Sequence, residues 1–239
     1  MKSDMKRTTI DARLFVGLRG ADLAASTAYL ALVHKMGFGD RLRGLRRYEF
    51  FHLTIGAAAP AETTIEALKA TLARQSTFYN RNKHMYSLEC RWPGGERVEG
   101  PAHEEMAAGF AKILGIRAAR QAGIDFDGKA DTKADIVKES PAFLIEVFVQ
   151  DDDRAGRDAI AAKLTRELTA SVGHGSVKVQ CPGRATVWWL AVAASGEEEA
   201  VATARQITVT RRRDEGLLMN PNYQSAEFVS AGRVDTVRS

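Results

Sequence analysis

Cysteine is scarce: Cys90 and Cys181 are the only two in 239 residues, and no Cys-x-x-Cys spacing occurs. That excludes a disulfide-stapled scaffold and a thiolate zinc site. No stretch approaches the roughly 20 consecutive apolar residues of a membrane helix. The start, Met1 to Ile10, is polar and charged and lacks the apolar run of a signal peptide. A cytoplasmic setting with no membrane attachment is the expectation. Charge of one sign is also lacking, since 34 Lys+Arg against 30 Asp+Glu leaves +4. Such a balance permits contact with acidic groups but falls short of a dedicated nucleic-acid binder. The catalytic signatures GxGxxG, GxxxxGK[ST], HExxH and GxSxG are all absent. No catalytic residue, metal or cofactor is expected.

What is present is an ordinary globular composition, 45% hydrophobic and 27% charged, arranged as a repeat. Ala12 to Arg19 reads as a strand. Leu23, Leu30, Val33 and Met36 recur at helical spacing from Ala21 to Met36, and Gly37-Phe38-Gly39 stops that helix. Arg41 to Arg47 predicts a second strand. Phe51, Leu53 and Ile55, alternating with His52 and Thr54, predict a third. A helix with Ile65, Leu68 and Leu72 on one stripe follows Pro60, and His84 to Arg91 predicts a last strand.

The same order returns near the other end. Phe143 to Gln150 reads as a strand, and Ala155 to Val172 as a helix closed by Gly173. Val177 to Cys181 forms a strand, Pro182-Gly183 a turn, and Arg184 to Ala194 an apolar strand. A helix opens at Glu197, acidic in its first turn, and Tyr223 to Ser230 is a final strand. The fold class is therefore α+β: two ferredoxin-like β-α-β-β-α-β repeats with antiparallel sheets. Repeat 1 covers residues 1–91 and repeat 2 covers 143–239. A helical connector over 92–142 carries Met106, Phe110, Ile113 and Leu114 on one stripe.

Several groupings look like chemistry and reduce to simpler roles. Asp125 to Asp131 fails as a calcium loop because Ala130 and Ile136 hold the positions of its glycine and glutamate. Asp151-Asp152-Asp153 precedes a helix and reads as a cap. His34, His52, His84, His103 and His174 are scattered without metal-ligand spacing. Arg41, Arg43, Arg46 and Arg47, and the run Arg211 to Arg213, read as protein contacts. Neither Tyr48 to Phe51 nor Ala185 to Trp189 supplies the basic-glycine-aromatic run of an RNA-recognition module. A stand-alone enzyme or ligand binder with a cavity lined by Phe51, Trp188 and Trp189 is one alternative. An RNA-binding tandem domain, recognisable by steep salt dependence, is another.

The run Leu217-Leu-Met-Asn-Pro-Asn-Tyr-Gln-Ser-Ala-Glu-Phe228 resembles the end of the PurS subunit of formylglycinamidine ribonucleotide synthase. Phe78-Tyr-Asn-Arg-Asn-Lys83 is a shorter version of it, with Arg81 where the turn proline stands. Met36-Gly-Phe38, Leu45-Arg46 and Phe51 to Ile55 are similar to that family's helix exit, arginine-bearing second strand and third strand. Tyr48-Glu49 replaces its usual Gly-Lys. The resemblance covers both repeats and not the connector. It implies a non-catalytic tandem subunit of a glutamine-dependent ligase in purine biosynthesis. Its partners would be the glutaminase and the ATP-dependent synthetase, between which ammonia is passed, and it could form homo-oligomers. Arg43, Arg46, Arg47, Asn80, Asn220, Pro221 and Tyr223 are the implied partner contacts.

Overall fold

The computed structural model describes residues 7–75, 78–103, 105–110, 141–173, 176–212 and 216–234. In chain order these form β1 (Thr8–Leu18), α1 (Leu23–His34), β2 (Leu42–Ala57), α2 (Ala61–Arg74), β3 (His84–Trp92) and β4 (Gly95–Glu99). A helical stretch at 105–110 (α3) follows. Then come β5 (Ala142–Asp151), α4 (Arg154–Val172), β6 (Val177–Ala193), α5 (Glu197–Thr208) and β7 (Gln224–Val234). The class is mixed α+β, with a seven-stranded antiparallel sheet in the order β4-β3-β1-β2-β6-β5-β7.

That order is not the ferredoxin-like one, and the reason lies in two continuous strands. The separate strands expected over Arg41 to Arg47 and Phe51 to Ile55 are one strand, β2, of 16 residues. Its pairing with β1 runs unbroken from Thr8 opposite Ala57 to Val16 opposite Glu49. The bridging residues Arg47-Tyr48-Glu49-Phe50 contain no Gly, Pro or Asn to turn the chain. In the second repeat, Val177 to Cys181 and Arg184 to Ala193 likewise merge into β6, 17 residues long. Each repeat is thus β-α-β-α-β.

Pro182-Gly183 looked like a turn and lies inside a strand. Ala194 N–H donates to the Pro141 carbonyl just before β5, and β5 has only ten residues. Its pairing with β6 runs out near Arg184, so Pro182 needs no partner for the N–H it lacks. At Gly183 an added Cβ would lie 3.3 Å from the His52 Cβ, so the glycine admits its neighbour.

A second correction concerns Trp92 to Glu99, assigned to the connector. Pro93-Gly94 turns the chain into a hairpin, and β4 pairs with β3 from Trp92 opposite Gly95 to Leu88 opposite Glu99. The expected connector helix is present at α3, where Met106 and Phe110 are buried. Ile113, Leu114 and Asp125 to Asp131 lie outside the described residues.

The chain packs as two compact units, each taking segments from both sequence repeats. Unit 1 comprises 1–21, 48–102 and 150–186; unit 2 comprises 22–47, 103–149 and 187–239. In unit 1, Ile10, Ala12, Leu14 and Val16 of β1 and Phe51, Leu53 and Ile55 of β2 pack under Ile65, Leu68 and Leu72 of α2. Leu164 and Leu168 of α4 complete that core. In unit 2, Ile145, Val147 and Val149 of β5 and Trp188, Leu190 and Val192 of β6 pack with Ala200, Ala204 and Ile207 of α5. Ala25 and Leu32 of α1 belong to this second core. The first helix of each repeat therefore serves the core built mainly from the other repeat.

Candidate functional site

The helix-side cores of the two units carry the same step along their long strands. Phe51, Leu53, Ile55 and Ala57 of β2 correspond to Trp188, Leu190 and Val192 of β6 and Ala194 just after it. Four residues before each aromatic stands an arginine, Arg47 or Arg184. In unit 2, Arg47 Nε lies 3.0 Å from Asp22 Oδ2, and the guanidinium sits 6.0 Å from the Trp188 ring centre. In unit 1, Arg184 lies 4.0 Å from Asp153 Oδ2 and 5.7 Å from the Phe51 ring centre.

Both aspartates are helix caps. Asp22 accepts from the Ala24 and Ala25 N–H groups at the start of α1. Asp153 accepts from Gly156 N–H at the start of α4. The capping role read from Asp151-Asp152-Asp153 is correct and falls on Asp153. Each cluster uses one carboxylate to cap a helix and hold an arginine over an aromatic face, which cation–π attraction favours.

A second pair of equivalent devices precedes the last strand of each repeat. Asn80 Oδ1 accepts from Asn82 N–H at 2.9 Å, and the Asn80 carbonyl accepts from Lys83 and His84 N–H. Asn80 N–H donates to His84 Nδ1 at 3.1 Å. Asn220 repeats the pattern: Oδ1 accepts from Asn222 N–H at 3.0 Å, and its carbonyl accepts from Tyr223 and Gln224 N–H. Its own N–H donates to Gln224 Oε1 at 2.9 Å. Asparagine suits the position because its short side chain mimics a backbone turn. Pro221 and Arg81 occupy the same place in the two turns, a position that tolerates the missing N–H of proline.

The implied contact residues divide as follows. Asn220, Pro221 and Tyr223 share one exposed turn in unit 2, with Tyr223 75% exposed. Arg43, Arg46 and Arg47 lie in the first half of β2, also in unit 2; Arg43 is exposed, whereas Arg46 and Arg47 are half-buried. Asn80 sits in unit 1. Arg41 is held by Gln206 and lies over Phe38. Arg211 and Arg212 are exposed, and Arg213 is outside the described residues. The three aromatics of the cavity alternative fall in both units. Phe51 is in the core of unit 1, and adjacent Trp188 and Trp189 of unit 2 point to opposite faces of the sheet.

On the face of β6 away from its helix-side core, unit 2 holds a pair that sequence reasoning missed. Glu146, 4% exposed, has Oε1 3.1 Å from His103 Nε2, and the His103 ring meets Trp189 edge-on at 5.1 Å. Phe110 of α3 lies 6.2 Å from the same tryptophan. The signal was available: Glu146 interrupts the apolar run Phe143-Leu-Ile-Glu-Val-Phe-Val149. His52 alternates with the buried Phe51 and Leu53, is half-buried, and has Nε2 2.6 Å from Asp11 Oδ2 in unit 1.

Unit 1 also contains a polar groove of about 100 Å³, lined by Glu49, Asp151, Asp153, Arg157, Arg184 and Thr186. Ligand pockets are typically several times larger. Among the described residues, no group of three His, Cys, Asp or Glu side chains could hold a metal ion. Burial pushes the Cys90 thiol up to about 12 and raises that of Cys181, so neither is poised as a nucleophile. No described helix is long and apolar enough to cross a membrane. Compared with known proteins, the chain matches no family model, no curated protein and no solved structure.

Proposed function

We propose that the protein is a non-catalytic scaffold of the PurS kind, with two PurS-like repeats fused in one cytoplasmic chain. Its role would be to hold a glutaminase and an ATP-dependent synthetase together, so that ammonia passes from one to the other in purine biosynthesis. The observation that carries this reading is the pair of Asn turns. Asn80 and Asn220, in the two segments that resemble PurS, make the same set of four hydrogen bonds. We read each β-α-β-α-β repeat as a ferredoxin-like plait whose two middle strands have merged. Two such repeats, each lending its first helix to the other's core, would stand in for a dimer. Fusion makes their pairing intramolecular and hence independent of concentration. The exposed turn Asn220-Pro221-Tyr223 and Arg43 are the surfaces offered to partners.

Deletion of the gene tests the proposal. Synthase activity in extracts should be lost with glutamine as nitrogen donor and retained with ammonia, and the tagged chain should co-purify with both enzymes. Unchanged glutamine-dependent activity, or binding to neither enzyme, overturns it.

A further inference from the structure

The two Asn turns differ in the group that closes them. Each runs from an asparagine to the residue four places on, Asn80-Arg-Asn-Lys-His84 and Asn220-Pro-Asn-Tyr-Gln224. In both, the side chain of the last residue accepts from the backbone N–H of the first. In unit 2 the acceptor is Gln224 Oε1, an amide oxygen that accepts at any pH. In unit 1 it is His84 Nδ1, 3.1 Å from the Asn80 nitrogen. A ring nitrogen accepts only while it carries no proton, so the neutral ring must hold its hydrogen on Nε2. The imidazolium has an N–H at both positions and no acceptor.

We propose that His84 is a proton-sensitive latch on the Asn80 turn: the neutral ring closes the turn, and the protonated ring sets one N–H against another and opens it. The Asn220 turn stays closed at every pH. The latch guards the entry to β3. Arg19 N–H donates to the Lys83 carbonyl at 2.9 Å, and Arg19 Nε donates to the His84 carbonyl at 2.8 Å. An opened turn therefore loosens the junction with the end of β1 as well. Among the described residues, the charged groups beside the turn are Arg19, Arg81 and Lys83. All are positive, so none offsets the lost bond by pairing with an imidazolium. The titratable neighbours are Tyr79, whose hydroxyl accepts from Arg81 Nε at 3.3 Å, and Tyr86, whose hydroxyl burial pushes up, away from the imidazole range. A further charge nearby would move the pH of opening and leave the need for an acceptor intact. The bond contributes fully above the range in which the imidazole takes up its proton, and that contribution is lost as pH falls through it. The latch belongs to the backbone of unit 1 and does not depend on what the chain binds.

The test follows amide resonances of the isotope-labelled full chain from about pH 8 to about pH 5, together with the His84 ring. The Asn80 amide proton should move upfield with the midpoint of the His84 ring, as a donor losing its acceptor does, while Asn220 stays in place. At about pH 5 the Asn80 amide should exchange with solvent about fivefold faster than in His84→Gln, the worth of one hydrogen bond, and at about pH 8 the two should agree. A His84 ring that stays neutral throughout overturns the proposal. So does an Asn80 amide that does not follow the ring, an Asn220 amide that does, or a His84→Gln chain that responds as the unaltered one. The scaffold function is read separately, from glutamine-dependent activity.

Discussion

Unit 1 and unit 2 share their means of fixing the chain and differ in what lies on the other face of the sheet. Both hold an arginine between a helix-capping aspartate and an aromatic of a long strand, and both enter their last strand through the same Asn turn. On the face away from the helix-side core, unit 1 places Phe15 against Phe50, rings 4.8 Å apart. Unit 2 instead buries a carboxylate beside a histidine and a tryptophan. The end strands differ too: β3 is paired with β4, whereas β7 is the last described strand of the order. Local devices that define the backbone are kept in both units, because each turn or cap works within a few residues. Faces that meet other segments differ.

The largest effect expected from this comparison is at the buried pair of unit 2. His103→Leu should leave the buried Glu146 carboxyl without its polar neighbour and lower unfolding free energy by about 3 kcal/mol in urea titrations. Adding Glu146→Leu should recover most of that loss, since an apolar replacement of both partners is often neutral. If the single and double variants are equally unstable, the pair is not what the site depends on.

Next in size come the turns. Asn80→Ala and Asn220→Ala should each cost about 1 kcal/mol by thermal melting, and by nearly the same amount. A clear inequality between the two would mean that shared geometry hides unequal energetics.

The smallest effect is at the β3–β4 hairpin of unit 1. Lys69 and Arg97 beside Glu99 hold its carboxyl below the usual carboxylate range, chiefly through the Lys69 hydrogen bond. A depressed folded value stabilises above the ordinary value and loses that contribution as pH falls through the lowered one. Glu99→Gln should therefore lower the melting temperature slightly at pH 7. The gap should close as pH falls from about 4 downward. A gap that persists in acid would show that the amide, not the lost charge, is responsible.

Much of this was legible in the sequence where the cause is local. The periodicity of Ile65, Leu68 and Leu72 gave a helix whose apolar stripe is buried, and Asp153 was recognised as a cap from its position alone. The two ferredoxin-like repeats read from the sequence do not match the strand order, although Asn80 and Asn220 make matching turns. The strand count was misread because Pro182-Gly183 carries a turn signature, yet sits where β5 has ended and no hydrogen bond is required. The middle of β2 was split although nothing there turns the chain. Glu146 was passed over because its meaning depends on His103, remote in sequence. So does the exchange of first helices between cores, which no window of residues encodes.

That exchange decides what becomes of a severed chain. Cutting between the repeats strips Leu164 and Leu168 from the first core and Ala25, Leu32 and Leu42 from the second. Neither half keeps a whole interior, so fragmentation exposes apolar surface on both pieces at once. The chain is in this sense indivisible, because each core draws on residues from both halves of the sequence.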